Sequence, residues 1–146
     1  MSQENVLIKV KYESKFANPI EQAHEGEWID LRLVKDYELQ KGDFKYLDLG
    51  VRIELPEGYE AIVAPRSSTC KSTGLIQANS IGVIDNQYHG TWYFPAYATR
   101  DVFIKAGSRI AQFRVQKIQP KIEIQEIEFL EDTRGGLGST GGINAK

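Results

Sequence analysis

Residues 47–58 read Leu-Asp-Leu-Gly-Val-Arg-Ile-Glu-Leu-Pro-Glu-Gly, in which apolar and polar side chains alternate until a turn. This alternation has the period of a β-strand with one buried face. After the turn, Tyr59, Ala61 and Val63 resume the same period. We therefore predict that residues 47–55 and 59–63 pair as a hairpin.

Further stretches share the period of two, whereas helical period is almost absent. The apolar phase slips between Ile124 and Ile127, which indicates a bulge at residues 125–126. A short helix is expected only at residues 67–73, with Gly74 as its stop. Many short strands separated by turns predict an all-β sandwich or barrel. Strands are predicted at residues 6–10, 81–84, 92–97, 111–115 and 122–129.

Composition bounds the class of protein and its partners. The 146 residues suit one domain, and 41% hydrophobic with 26% charged residues is an ordinary globular balance. A formal net charge of −2 gives no long-range attraction for a polyanion, so we expect no direct nucleic-acid partner. The sequence has no apolar run long enough to span a membrane, and because residues 1–11 lack the pattern of a secretion signal, we expect none. We expect no membrane partner and a cytoplasmic location, in a bacterial cell or a phage-infected host.

The last residues differ in composition from the rest. We expect residues 1–133 to form a single all-β domain and the glycine-rich residues 134–146 to form a flexible tail. Glycines let backbone amides approach phosphate closely, and the tail adds hydroxyl and cationic donors. It lacks the Lys-Ser/Thr ending of a P-loop, so a Walker-type site is unfavoured. The alternative is a flexible linker remnant.

Pro65-Arg66-Ser67-Ser68 stands where a strand gives way to the predicted helix. Free backbone amides at such a turn, two hydroxyls and a guanidinium together suit phosphate oxygens. The alternative is a capped helix with a surface arginine, and this segment alone favours that alternative.

Two other segments end or begin strands with polar side chains. Asp85 follows the apolar run 82–84, a suitable position for a general base that takes a proton from water. A turn-forming aspartate is the alternative, narrowly favoured on this segment alone. Gln112 occupies a polar position of the strand after Gly107, where a glutamine is usually solvated surface.

Together these segments resemble the five ordered motifs of the trimeric dUTP pyrophosphatase (dUTPase) family, and in particular its Bacillus and phage subgroup. The resemblance covers most of the chain from residue 26 to residue 141. The matching segments are residues 27–31, 65–68, 79–90, 107–113 and 134–141.

The resemblance implies a jelly-roll-like β fold that assembles as a threefold trimer, with each active site built from all three subunits. The implied activity is hydrolysis of dUTP to dUMP and pyrophosphate with Mg²⁺, which keeps uracil out of DNA and supplies dUMP for thymidylate synthesis. The implied metal is chelated by the phosphates and completed by waters, so it needs no dedicated protein cage.

For the nucleoside, the resemblance implies a β-hairpin at residues 79–93 that accepts uracil. Backbone groups of the hairpin, including those of Gly82 and Ile84, would read the base, and Asn79 would help to hold it. Tyr88 would pack under the sugar and exclude a 2′-hydroxyl. Leu137 stands where many members have a phenylalanine that stacks on uracil, so we expect Tyr93 to cover the base instead, with Trp92 as its rival.

For the reaction, the resemblance implies that Asp85 deprotonates the attacking water. Asp30 and Gln112 would contact the metal's waters or the phosphates, although residues 25–28 depart from the usual first motif. Ser67 and Ser68 would hold the α- and β-phosphates, and Arg66 would orient the catalytic aspartate and the phosphates. The tail would close as a lid over the γ-phosphate through Arg134, Gly138, Ser139 and Thr140.

Two other functions are compatible with parts of the sequence. The related dCTP deaminases share the trimeric jelly roll but need a glutamate where this chain has residues 82–85, so ammonia release from dCTP would distinguish them. A binding protein that docks on a phage or host regulatory protein, with or without turnover, is the other alternative.

Overall fold

The computed structural model describes residues 5–133 and 135–136, which form eleven strands and two short helical segments. The all-β architecture with one short α-helix is confirmed. In chain order the elements are β1 (Lys9–Tyr12), a 3-10 turn (Lys15–Ala17), β2 (Ile29–Arg32), β3 (Tyr37–Leu39), β4 (Phe44–Asp48), β5 (Val51–Glu54), β6 (Tyr59–Pro65), α1 (Thr69–Thr73), β7 (Leu75–Gln77), β8 (Gly82–Ile84), β9 (Tyr93–Ala98), β10 (Val102–Ile104) and β11 (Arg109–Lys117).

The strands form two main antiparallel sheets around one core. The larger has the order β2-β11-β6-β8 and the smaller the order β4-β9-β7, while β1 pairs with β5 and β10 with β3. Trp92, just before β9, meets Phe113 of β11 edge to face, with ring centroids 5.1 Å apart. Both side chains are fully buried, and their contact packs the two sheets against each other.

The apolar face predicted in residues 47–55 is confirmed, but the strand is interrupted. Gly50 has φ +66°, which separates β4 from β5. A β-carbon at Gly50 would lie 2.1 Å from Val34 Cγ1, so only glycine fits this position. Alternation thus continues across a kink. The buried side chains are Leu47, Leu49, Val51, Ile53 and Leu55.

The predicted hairpin between residues 47–55 and 59–63 is wrong. Strand β5 pairs with β1, whereas β6 pairs with β11 and β8. Alternation determines which side chains face the core, but it does not determine which strand receives the backbone hydrogen bonds. Here the turn at residues 56–58 carries the chain from one sheet to another.

The predicted strand at residues 122–129 and its bulge at 125–126 are also wrong. Residues 118–133 contain no strand and are exposed throughout. Ile124 is 92% exposed and Phe129 is 80% exposed. An isolated strand leaves its backbone groups without partners, and no described strand lies alongside this segment to supply them. We call residues 118–133 the C-terminal arm.

The other predicted elements lie close to observed ones. Strands β8, β9 and β11 coincide within about two residues with the predictions, and β1 overlaps only the end of residues 6–10. The predicted helix begins two residues later than expected and ends at Gly74, which has φ +74°. Strands β2, β3, β7 and β10 were not predicted. No helix in residues 5–133 or 135–136 is long and apolar enough to cross a membrane.

Candidate active site

One end of the larger sheet carries a row of polar groups. Asp30 of β2 lies opposite Gln112 of β11, and Gln112 in turn lies opposite Ala64 of β6. The Gln112 side chain donates from Nε2 to the carbonyl oxygen of Pro65 at 3.1 Å. This bond leaves Gln112 Oε1 without a protein partner among the described residues. The central strand thus brings together the two residues for which the sequence predicted water-mediated contacts to the metal.

Asp30 is held between two arginines. Arg66 Nε donates to Asp30 Oδ1 at 3.1 Å, and Arg109 Nη1 lies 3.6 Å from Asp30 Oδ2. All three side chains are between one third and one half exposed. Two cations beside one carboxylate leave a net positive charge that faces solvent, an arrangement suited to phosphate. Arg66 therefore contacts Asp30 within one chain.

Sequence reasoning missed Arg109. Its separation of three residues from Gln112 would place the two side chains on opposite faces of a regular strand. The register of β11 against β2 shifts between Arg109 and Ala111, so Ile110 is a bulge and Arg109 joins the face of Gln112. The preceding Gly107, with φ +87°, was the signal that a bulge could follow.

The buried Thr69 side chain holds the turn after β6 in place. Thr69 Oγ1 accepts from the Arg66 backbone amide at 3.0 Å and donates to the Ile110 carbonyl at 2.8 Å, with Thr69 almost fully buried. Ser67 and Ser68 lie exposed on the outside of this turn. Ser68 precedes α1 but makes no side-chain capping bond. Both hydroxyls are consequently available to a ligand.

Asp85 lies exposed directly after β8. Its Oδ1 accepts from the Gln87 backbone amide at 2.8 Å, and its carbonyl oxygen accepts from the Tyr88 amide at 3.2 Å. Oδ2 has no hydrogen-bond partner among the described residues. The turn therefore orients the carboxylate and leaves one oxygen free to accept a proton from water. The turn-forming and general-base interpretations of Asp85 are compatible.

Tyr88 has a fixed position over Gly90. Its hydroxyl donates to the Thr91 carbonyl at 2.7 Å, and a β-carbon at Gly90 would lie 2.6 Å from that hydroxyl oxygen. The absence of a side chain at Gly90 thus makes room for the phenol ring. Tyr88 is 43% exposed, so part of the side chain remains accessible to solvent.

The predicted hairpin at residues 79–93 is wrong in its pairing. Strand β8 pairs with β6 and belongs to the larger sheet, whereas β9 pairs with β4 and β7 of the smaller sheet. The residues between them form an open loop that bridges the sheets. Strand β8 is an edge strand of the described sheet, so the outer backbone groups of Gly82–Ile84 have no strand partner. These groups could still read a base.

Asn79 lies exposed just before β8, and its Oδ1 accepts from Gln77 Nε2 at 2.9 Å. Gln77 was another residue without a predicted role, although it is only 3% exposed. A polar residue in the middle of the apolar stretch 75–78 was the available signal.

The aromatic run after the loop alternates as predicted. Trp92 and Phe94 are fully buried, whereas Tyr93 is 46% exposed on the opposite side. The Tyr93 ring meets the exposed Tyr46 ring edge to face, with centroids 6.4 Å apart. Only Tyr93 of the three can contact a ligand from this side, and Trp92 is unavailable without unpacking the core.

Asp85 and the Arg66 turn lie far apart within one chain. Ile84 lies opposite Ala61, so Asp85, the next residue, lies near the start of β6. Arg66 directly follows the last residue of β6. At about 3.3 Å per residue, their α-carbons are separated by roughly 20 Å along the strands. Contact of both side chains with the same phosphate group would therefore require a second copy of the chain.

The predicted lid residues lie outside the described residues. These are Arg134, Gly138, Ser139 and Thr140, together with Leu137. Within the part of the chain that is described, no group of three or more His, Cys, Asp or Glu side chains could hold a metal ion. Asp30 contacts both Arg66 and Arg109, and Gln112 lies opposite Asp30 on the neighbouring strand.

The fold and the site define an all-β protein in which a candidate phosphate-binding turn and a candidate general base occupy separate surfaces. Residues 19–141 match the family model described as dUTPase, and the chain belongs to the dUTPase family. It is 51% identical over 138 residues to the SPbeta prophage-derived deoxyuridine 5'-triphosphate nucleotidohydrolase of Bacillus subtilis, covering 92% of this chain and 97% of that protein. It is 33% identical over 143 residues to the corresponding enzyme of Finegoldia magna, covering 92% and 99%.

Solved structures have the same fold. The dUTPase of Staphylococcus bacteriophage 80alpha with dUPNHPP superposes with a TM-score of 0.76 at 22% identity, covering 92% of this chain and 98% of that one. A dUTPase mutant from phage phi11 of S. aureus, described as coordinating a structural Mg(II) ion, has a TM-score of 0.71 at 20% identity, covering 84% and 97%.

Proposed function

We propose that this chain hydrolyses dUTP to dUMP and pyrophosphate, which keeps uracil out of DNA and supplies dUMP for thymidylate synthesis. The observation that carries the proposal is the dUTPase match over residues 19–141, within which Asp85 is exposed and has one free carboxylate oxygen. Because the proposed substrate is a nucleotide of the cytoplasm, we also propose a cytoplasmic location.

Asp85 is the proposed general base. Water held by its free Oδ2 attacks the α-phosphorus in line, a new P–O bond forms, and the bond to the bridging oxygen breaks so that pyrophosphate leaves. The water's proton passes to the carboxylate. The hydrogen bond from the Gln87 amide to Oδ1 supports this role, since it holds the carboxylate in one orientation before substrate arrives.

Arg66, Ser67 and Ser68 are the proposed ligands of the phosphate chain. Their turn is held by buried Thr69, and both hydroxyls are exposed without competing partners in the described chain. Donors placed in advance stabilise the charge that develops as the bridging oxygen leaves. Arg109 adds a second guanidinium at the same end of the sheet.

Mg²⁺ is the proposed cofactor. Asp30 and Gln112 fit a metal that reaches the site with the phosphates, because each has an acceptor oxygen near the cationic turn but neither belongs to a described ligand cluster. When bound, the ion would neutralise phosphate charge. Asp30 and Gln112 would orient its waters, and the arginines keep the Asp30 carboxylate from turning away.

The proposed nucleoside site lies along β8. The outer backbone groups of Gly82 and Ile84 and the Asn79 side chain would contact uracil, and Tyr93 would cover the ring. Tyr88 is held over Gly90, so its ring offers a rigid floor beneath the sugar with no room for a 2′-hydroxyl. Steric exclusion by a fixed ring is stronger than exclusion by a mobile one.

The site is proposed to be shared in a homotrimer. A separation of roughly 20 Å between the α-carbons of Asp85 and Arg66 within one chain supports this, because both side chains are proposed to act at the α-phosphate and could not reach it together. The exposed apolar side chains of the C-terminal arm also support contact with a neighbouring copy. Arg134, Gly138, Ser139 and Thr140 of the tail 134–146 are proposed to close over the γ-phosphate from a further copy.

A second proposed role is binding of a phage or host regulatory protein. A dUTPase of Staphylococcus bacteriophage 80alpha with this fold is described as controlling transfer of virulence genes. Pull-down from host extract with and without a nonhydrolysable dUTP analogue would test the role. A specific partner whose capture depends on the analogue would support it, and recovery of no specific partner in either condition would contradict it.

Pyrophosphate release from dUTP, dTTP, dCTP and UTP tests the principal proposal. We expect turnover of dUTP to be much faster than that of the other three nucleotides, and a loss of at least about 100-fold in kcat for Asp85→Asn. Asp101→Asn is the matched control, because Asp101 is also exposed and also accepts a backbone amide through Oδ1, from Lys41, but lies elsewhere. Full activity of Asp85→Asn, or ammonia release from dCTP, would overturn the proposal.

A further inference from the structure

Gln77 is a buried glutamine in a position that an apolar residue could fill. It is 3% exposed in β7, yet its Oε1 has no hydrogen-bond partner among residues 5–133 and 135–136. Its Nε2 donates twice, to the Val63 carbonyl at 3.1 Å and to Asn79 Oδ1 at 2.9 Å. A buried amide oxygen without a partner is costly, so packing alone does not account for a glutamine here.

The two hydrogen bonds determine the orientation of Asn79. A backbone carbonyl can only accept, so the nitrogen end of the Gln77 amide must face Val63. The second hydrogen of that nitrogen then points at Asn79 and requires an acceptor, which only Oδ1 provides. The Asn79 nitrogen, Nδ2, must therefore face away from Gln77.

Asn79 Nδ2 lies beside Gly82, the first residue of β8. A β-carbon built on Gly82 would lie 3.6 Å from Nδ2 and 3.5 Å from Val63 Cβ. Nδ2 makes no hydrogen bond within the described chain, so both of its hydrogens are available beside Gly82. The two hydrogen bonds that link Val63, Gln77 and Asn79 thus fix the orientation of both amide groups, from a carbonyl in the core to the exposed Asn79.

We propose that Gln77 is a positioning residue that sets base selectivity by presenting Asn79 Nδ2 as a donor to the substituent at position 4 of the pyrimidine. This inference rests on the proposed function. Uracil has a carbonyl at position 4, whereas cytosine has an amino group that would face a second donor. Rotation of the Asn79 amide by half a turn would present Oδ1 to the base and reverse this preference. Gln77 opposes the rotation, because Gln77 Nε2 would then face Asn79 Nδ2, and both are hydrogen-bond donors.

The test compares kcat/KM for dUTP and dCTP in wild type and Gln77→Met, which keeps the length of the side chain and removes the donor. We expect the dUTP-to-dCTP ratio to fall about tenfold, the effect of one misplaced hydrogen bond. A role in packing alone would lower Tm without changing the ratio, which would overturn the inference. Gln116→Met is the matched control, because within the described chain Gln116 Nε2 donates only to Glu60 Oε2, and the ratio for this variant should not change.

A double-mutant cycle with Asn79→Ala separates an action through Asn79 from any other. In the Asn79→Ala background, Gln77→Met should cause no further fall in the ratio, and additive losses would overturn the inference. Thermal unfolding verifies that each variant is folded, and Gln77→Leu replaces the methionine variant if that one unfolds. Wild type without dUTP hydrolysis would refute the proposed function itself, whereas active wild type with an unchanged ratio in folded Gln77 variants would refute only this inference.

A measurement on wild type is independent of these variants. The side-chain NH₂ resonance of Asn79, assigned by its disappearance in Asn79→Ala, should shift when a nonhydrolysable dUTP analogue binds. The corresponding dCTP analogue at the same concentration should leave it in place. Equal shifts with both analogues, or none with the dUTP analogue, would contradict an outward donor at Asn79.

Discussion

Arg109 faces Asp30 because strand β11 bulges at Ile110. Arg109 Nη1 lies 3.6 Å from Asp30 Oδ2, while Arg66 occupies Oδ1. Exposed ion pairs of this kind contribute little to the stability of a fold, since water screens them. Their effect on a bound anion is larger, because two guanidinium groups and one carboxylate leave one uncompensated positive charge beside the exposed turn.

Replacing Arg109 by glutamine should therefore weaken substrate binding more than it weakens the fold. For Arg109→Gln we expect KM for dUTP to rise about tenfold, which corresponds to one charge-assisted contact, with Tm almost unchanged. Arg100→Gln is the control, because Arg100 is exposed and donates only to the Lys71 carbonyl in the described chain. If steady-state kinetics of Arg109→Gln match those of Arg100→Gln, then Arg109 has no part in binding.

The sequence predicted burial better than it predicted pairing. The alternation in residues 47–55 correctly identified five core side chains, because the side chains of a strand must alternate whatever its partner is. The same pattern gave the wrong partner for β5 and a strand at residues 122–129 that does not form. Pairing depends on contacts between distant segments, and a period of two contains no information about them.

Residue type was enough to predict candidate site residues, but not those that depend on geometry. Asp85 and the two serines of the Arg66 turn lie exposed at strand ends with free acceptors or donors, and their roles stay predictions. Arg109 was missed because a bulge reverses the face of a strand, and a single bulged residue has no distinct composition. Gln77 was missed because its importance lies in a bond to Val63, fourteen residues earlier in the chain.

Gly90→Ala should relax discrimination at the sugar. A β-carbon there would lie 2.6 Å from the Tyr88 hydroxyl and would push the ring from its position. We expect the ratio of kcat/KM for dUTP to that for UTP to fall about tenfold. In a Tyr88→Ala background the clash is gone, so Gly90→Ala should change the ratio no further. An unchanged ratio for Gly90→Ala in the presence of Tyr88 would argue that the ring does not contact the sugar.

Alanine replacements of Tyr93 and Trp92 should have different effects, the first on substrate binding and turnover and the second on stability. Tyr93→Ala should raise KM or slow turnover severalfold while Tm stays close to wild type, because the ring is half exposed. Trp92→Ala should instead lower the free energy of unfolding by about 3–5 kcal/mol, since it removes a buried ring packed on Phe113. Steady-state kinetics and denaturant unfolding distinguish the two. Unchanged kinetics in Tyr93→Ala would remove this residue from the site.

The C-terminal arm should hold the subunits together. Ile124 is 92% exposed in the single chain, and covering an isoleucine side chain contributes about 1.5–3 kcal/mol per copy. Ile124→Asp should therefore shift the trimer toward monomers in size-exclusion chromatography with light scattering. Pyrophosphate release at the same protein concentration should fall in parallel, because Asp85 and the Arg66 turn of one chain are too far apart to serve one substrate.

Glu126→Gln is the matched control for the arm. Glu126 is an exposed polar residue two positions further on, and its replacement changes neither size nor apolar area, so the trimer and its activity should persist. A monomeric Ile124→Asp protein with full activity would show that one chain contains a complete site, and the proposed sharing between copies would be wrong. An intact trimer with Ile124→Asp would place the subunit contact on another surface, because a carboxylate buried in an apolar contact without a partner strongly opposes association.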